Sequence, residues 1–209
     1  MIDSARATAD EPIEVFLGIA SEEGKYPQGY RDILAQQTLM EEMPTVAITN
    51  YLADEAMKNP DNKLFMIVGD DAVFATKGWD TALKNEYDKL DNKIHVFSFK
   101  DSRSSDGTPH PIVTREFIDT MGYFCTPIFL HFFVDTWLVE MAKNSNCFTK
   151  LDDYLVIHDK GSDKGQSDET HTRLRNNGYK ARDFYVQRKC QHFLDAEKLR
   201  LFDKIMETI

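Results

Sequence analysis

Asp70, Asp71, Asp135 and His158 are the residues of this chain best suited, by type and spacing, to do chemistry. Asp70 and Asp71 follow an apolar run, Leu64–Val68, and Gly69; a second apolar run, Ala72–Ala75, begins at once. Adjacent carboxylates between two segments that favour burial repel each other unless a cation or hydrogen-bond donors offset their charge. A hard divalent ion, Mg²⁺ or Mn²⁺, meets that need, because it takes carboxylate oxygens and keeps open positions for phosphate. The competing reading is a tight turn, for which Gly-Asp-Asp is good chemistry. RNA-dependent polymerases also carry a Gly-Asp-Asp on a hairpin, but they need further carboxylate motifs and a much longer, usually basic chain.

Asp135 lies in a strongly helical stretch, "HFFVDTWLVEMAK". At about 100° per residue, Thr136, Glu140 and Lys143 form a polar stripe, while Phe133, Val134, Trp137, Leu138 and Met141 form the apolar side. Asp135 falls at the far edge of that apolar side, one turn after His131. A carboxylate there is partly desolvated, which raises its pKa toward the range of a general base. The alternative is an aspartate that caps a loop or pairs with His131. His158 follows "DDYLVI" and so emerges at a strand end, where a neutral imidazole is placed to join a cation site. A lone histidine is more often structural.

The elements that must position these groups alternate. Ile13–Ala20 reads as a first strand, Tyr30–Met43 as a helix ended by Pro44, Thr45–Ile48 as a short strand and Asn50–Lys58 as a helix. Lys63–Val68 is a strand, Trp79–Leu90 a helix with apolar positions at Trp79, Leu83, Tyr87 and Leu90, and Lys93–Phe99 another strand. A polar loop, "KDSRSSDGTPHP", leads to strand-like and helical pieces in "PIVTREFIDTMGYF". Phe129–Ser145 reads as one helix, Asp153–Lys160 as a final strand, and the charged remainder as a loop with one or two helices. Strands alternating with helices predict an α/β domain whose central sheet is mostly parallel, though mixed, and is flanked by helices. In such sheets ligands bind beyond the carboxyl ends of the strands, where Asp70, Asp71 and His158 fall. One domain over residues 1–209 is expected, with an α/β core at 13–160 and a loop and helical extension at 161–209.

Bulk properties narrow the function class. With 42% hydrophobic residues and 14 Phe among 209 residues, the chain can bury a sizeable core. A formal net charge of −10 argues against a nucleic-acid partner. Cys125, Cys147 and Cys190 are odd in number and widely spaced, which argues against a disulfide scaffold or zinc knuckle and for a reducing compartment. The N-terminal segment has neither a basic nor an apolar leader region, and the apolar stretch Phe124–Val139 is broken by Pro127, His131 and Asp135. A soluble, cytoplasmic protein with no membrane span is the expectation.

In order, "IEVFLGIA", "AITNYLADEAMKN", "FMIVGDDAVFATKGWDTAL", "HPIVTREFIDTMGYF", "HFFVDTWLVEMA" and "YLVIHDKG" resemble the nucleotide-sugar glycosyltransferases of the A-type fold. The resemblance runs from Ile13 to Arg175 and is nearest to the small glycosyltransferases of phages and large DNA viruses, the N-terminal domains of algal-virus capsid glycosyltransferases among them; for a viral protein the compartment would be the host cytoplasm. It implies a single Rossmann-like domain and transfer of a hexose from a UDP-sugar, such as UDP-glucose or UDP-rhamnose, to a glycan or glycoprotein hydroxyl. It implies Mn²⁺ or Mg²⁺ on Asp71, with Asp70 and His158 completing the site, and Asp135 as the base of an inverting reaction. Gly69 departs from the family, which has an acid there for the ribose; Asp70 or the loop after the first strand would take over that contact. Ala20, Ser21, Thr49 and Asn50 correspond to nucleoside contacts. Lys160 and Lys164, with Arg173 and Arg175, lie on a stretch able to close over the diphosphate, or else form a solvated charged face.

Two other readings remain open on the residues. A nucleotidyltransferase would use the same carboxylate–metal chemistry, but the glycines of "LGIASEEGKYPQG" surround a single lysine, Lys25, a poor match to its basic Gly-rich signature. A non-catalytic sugar- or protein-binding domain on the same fold has no need of a base such as Asp135.

Overall fold

A computed structural model of the protein describes residues 1–20, 36–40, 44–102, 109–158, 172, 176, 178–189 and 191–207. The elements in chain order are α1 (Ile2–Thr8), β1 (Phe16–Ala20), β2 (Gln36–Met40), α2 (Thr45–Met57), β3 (Leu64–Met66), β4 (Ala72–Phe74), α3 (Trp79–Lys89), β5 (Val96–Asp101), β6 (Ile112–Thr114), α4 (Arg115–Met121), α5 (Val134–Asn144), β7 (Phe148–His158), α6 (Tyr179–Lys189) and α7 (Gln191–Met206). The architecture is α/β: a mixed sheet in the order β3-β6-β5-β7-β4 with helices on both faces, and a separate parallel pair, β1-β2.

Strand alternation distributes the core to the two faces. Val96 and Val113 face a cluster containing Val46, Phe117, Trp137, Met141, Val186 and Leu201, which come from α2, α4, α5, α6 and α7. Phe97, Phe99 and Ile112 face the other way, onto Ala5, Trp79 and Leu83 of α1 and α3. The C-terminal helices therefore share one core with the sheet. The N-terminal helix α1, absent from the sequence reading, is held by Trp79 Nε1 and Gly78 N donating to the Ala5 and Thr8 carbonyls, and by Phe74 N donating to Ser4 Oγ.

The expectation of a mostly parallel sheet is corrected. In the five-stranded sheet only β5–β7 is parallel; β3–β6, β5–β6 and β4–β7 are antiparallel. Parallel neighbours need a crossover of about a dozen or more residues, and the 102–111 connection between β5 and β6 is shorter. The path from β6 through α4 and α5 is long enough to bring β7 in parallel to β5.

Three element assignments also change. Thr45–Ile48, expected as a strand, opens the helix α2: Pro44 stands at its N-cap, where the missing N–H costs nothing, and Val46, Ala53 and Ala56 are buried at helical spacing. Gln36–Met40, expected within a helix, is β2, because residue-by-residue pairing with β1 overrides its propensity. The helix expected over Phe129–Ser145 begins only at Val134. Its would-be first turn is captured instead by Asp183, whose fully buried carboxylate accepts N–H bonds from Leu130, His131 and Phe132 at 3.0, 2.8 and 2.8 Å. Phe133 then adopts a left-handed conformation, φ 65°, which a bulky residue rarely holds unless its surroundings impose it.

Candidate functional site

The topology brings one end of every strand in the main sheet to a common edge. β5 and β7 end there, at Asp101 and His158. Their antiparallel neighbours β6 and β4 begin there, and β3 ends there. An irregularity in the β5–β7 pairing after Phe99 lets the partner position move from Leu151 to Leu155, which sets Asp101 opposite Val156. The Asp101 carboxylate thereby reaches His158, with Oδ2 2.6 Å from Nδ1. His110, just before β6, stacks on His158 with ring centroids 4.6 Å apart.

Asp71 enters from the other side. Ala72 is the pairing partner of His158, so Asp71 lies one residue from it in register. The glycine at 69 has a physical reason: a Cβ there would stand 2.7 Å from Asp71 Oδ1 and 4.0 Å from His110 Cε1. A side chain at this position would push the Asp71 carboxylate away from where it stands. Asp71 is half-buried, whereas Asp70 is exposed.

Electrostatics tie the cluster together. Burial pushes the His110 imidazole down to about 4, and His158 beside it acts in the same direction; Asp101, Asp71 and a hydrogen bond with the Ile67 backbone oppose them. His110 Nε2 is buried, with no hydrogen-bond partner among the described residues. Asp135, in the first turn of α5, has its carboxyl raised from 3.8 chiefly by burial, while the Thr136 backbone and side chain and the charge of His158 work to lower it. The partial desolvation expected from the helical pattern is thus present. His131, the alternative partner for Asp135, places Nδ1 2.6 Å from Thr45 Oγ1.

The loop before α5 is built by the C-terminal helices. Besides Asp183 from α6, Glu197 from α7 is buried and accepts bonds from Thr126 Oγ1 at 3.0 Å, Trp137 Nε1 at 3.2 Å and Tyr123 Oη. Two buried carboxylates from residues beyond 178 therefore fix where Asp135 stands.

Of the residues singled out in the sequence, Asp71 lies one residue from His158 in register at this edge, and Asp135 is close enough to feel the charge of His158. Asn50 is occupied elsewhere, its amide bridging the Cys125 backbone through Nδ2 to O at 2.7 Å and Oδ1 from N at 2.8 Å. Thr49 is half-buried on α2, and Ala20 ends β1. Ser21, Lys160, Lys164, Arg173, Arg175, Lys25 and Cys190 lie outside the described residues. Cys125 and Cys147 are buried free thiols. Among the described residues no helix is long and apolar enough to cross a membrane.

Asp101 and His110 were missed by the sequence reading, which took "KDSRSSDGTPHP" for a polar loop. The strand-edge argument that selected Asp71 and His158 applies to Asp101 as well, since it ends β5. Compared with known proteins, the chain matches no family model, no curated protein and no solved structure.

Proposed function

We propose that the chain is a divalent-metal-dependent glycosyltransferase of the A-type fold that moves a sugar from a nucleotide-sugar donor, UDP-linked, to an acceptor hydroxyl with inversion. The observation that carries the reading is that Asp71 lies one residue from His158 in register at one end of the sheet, and that the charge of His158 reaches Asp135, although the three are far apart in sequence. Their order also follows the resemblance stated above.

The residues present suit a divalent ion. A carboxylate and two imidazoles lie close together, and one imidazole nitrogen is buried without a partner among the described residues. An ion held here would supply Lewis-acid stabilisation of charge building on the leaving diphosphate. Asp135 would accept the proton of the acceptor hydroxyl as the oxygen attacks the anomeric carbon. Its burial serves that role, since a carboxyl whose pKa is raised by desolvation is a stronger base than a fully solvated one. The Asp183 and Glu197 carboxylates would hold the Asp135 backbone in place. The glycine at 69 would leave the edge open for a diphosphate to approach.

Calorimetry with UDP in the presence and absence of Mn²⁺, paired with release of UDP from UDP-glucose and related donors, tests the proposal. UDP binding that requires Mn²⁺, is lost in His158→Ala and is weakened in Asp71→Ala is expected. Asp135→Asn should abolish transfer while leaving UDP affinity nearly unchanged. Equal UDP binding without metal would remove the metal from the reading, and pyrophosphate as the product would identify nucleotidyl transfer instead.

A further inference from the structure

We infer that Asp101, His110 and His158 are the inner ligands of one transition-metal ion of the Mn²⁺, Fe²⁺, Co²⁺ and Zn²⁺ class, and that this site disfavours Mg²⁺ and Ca²⁺. The inference deepens the metal part of the proposed function. It rests on that reading only for the use made of the ion, not for the binding.

Geometry comes first. One potential ligand atom from each of the three residues lies within 4.8 Å of the other two. An ion at roughly 2.0–2.2 Å from each ligand would need only small side-chain rotations to close the set. Asp101 and His110 are 6% and 7% exposed, so neither is a solvated surface group that happens to lie near others. All three are mounted at the ends of hydrogen-bonded strands or directly beside one, which gives the rigidity a coordination site needs.

The second observation is independent of clustering. Buried polar atoms in folded proteins nearly always have a partner, and an orphan needs an explanation such as an ion. Among the described residues His110 Nε2 is such an orphan. The His158–Asp101 pair and the His110–His158 stack point the same groups at one another.

Donor chemistry then decides the class of ion. Mg²⁺ and Ca²⁺ take oxygen ligands almost entirely, whereas two imidazoles and a carboxylate suit Mn, Fe, Co and Zn. Three protein ligands leave coordination positions for water or a phosphate oxygen. Asp71, packed against Gly69 beside His110, stands next to this set and is not one of the three.

The test uses the full chain and Mn²⁺ alone, without nucleotide. Loss of the free Mn²⁺ signal in electron paramagnetic resonance should give one bound ion per chain. His110→Gln, Asp101→Asn and His158→Gln should each weaken binding by about tenfold or more, Asp71→Asn by much less, and a large excess of Mg²⁺ should not displace the ion. Pulsed resonance on the wild-type Mn²⁺ complex needs no variant to fold and should reveal couplings to two imidazole nitrogens. Absence of nitrogen coupling, or unchanged binding in folded His110→Gln and Asp101→Asn, would overturn the assignment. Mn²⁺ bound by the three residues without any UDP affinity would leave this site standing and remove the glycosyltransferase reading. UDP binding by a chain that takes no Mn²⁺ alone would do the reverse.

Discussion

Removing the Asp183 carboxylate should be among the most damaging single changes in this protein. It lies fully buried on α6 and accepts three backbone N–H bonds from Leu130, His131 and Phe132. Arg182 Nη1, 2.9 Å from Oδ1, also binds the Ile128 carbonyl at 2.7 Å. Asp183→Ala leaves three backbone donors without an acceptor, each costing about 1–3 kcal/mol when buried. These donors are only partly buried, so water will recover some of that cost, and a net loss of about 4 kcal/mol is expected. Asp183→Asn keeps one acceptor oxygen and should lose about half as much. Urea unfolding at neutral pH, with the slope checked for two-state behaviour, measures both differences. A loss below about 1 kcal/mol for Asp183→Ala would refute the view that this carboxylate organises the entry to α5. With the grip released, the left-handed Phe133 should relax and Asp135 should move, so loss of metal-dependent transfer is expected even at temperatures where the variant remains folded.

Further consequences follow from other groups. His95 is pushed down to about 4 by burial, its Nε2 2.9 Å from Thr149 Oγ1, so it is neutral in the fold and titrates near 6.5 when unfolded. Its contribution is fully present above pH 6.5 and is lost as pH falls toward 4, about 2 kcal/mol by pH 5; unfolding curves of His95→Gln should lack that component, and identical pH profiles would contradict it. Gly18→Ala would place a Cβ 2.4 Å from Ile48 Cγ2 and 3.1 Å from Leu52 Cδ1, forcing β1 and α2 apart at about 1–3 kcal/mol. The same substitution in an Ile48→Ala background should cost measurably less, as a thermal-unfolding double-mutant cycle would show. Thr114 is fully buried; its Oγ1 accepts from Phe117 N at 3.2 Å, capping α4, and from His95 N at 3.1 Å, so Thr114→Val should lose about 2 kcal/mol in the same assay. If Asp135 is the base, the acid limb of the transfer rate falls as pH drops through a pKa above 3.8, and a rate flat down to pH 4 would exclude it.

What the sequence determined by itself is whatever depends on local pattern. Apolar alternation and turn residues placed β1, β3, β5, β7, α3 and the turn carrying Asp71, and the same strand-end logic selected His158. The phase of the 134–144 helix put Asp135 at the edge of its apolar face, where burial raises its carboxyl. Where a segment's state depended on a distant partner, local pattern failed. β2 is a strand because β1 pairs with it, and α5 starts late because a carboxylate from α6 takes the preceding N–H groups. The sheet is largely antiparallel because strand direction depends on how each connection crosses it.

The candidate site divides along the same line. Asp71 and His158 were legible one at a time, but their adjacency exists only through the β4–β7 pairing. Asp101 reaches His158 only because the β5–β7 register shifts after Phe99, and His110 joins them only because β6 runs antiparallel to β5. Residue type proposes a ligand, while strand register decides which ligands share an ion, because a side chain reaches only a few ångströms and register sets the distance between strand ends.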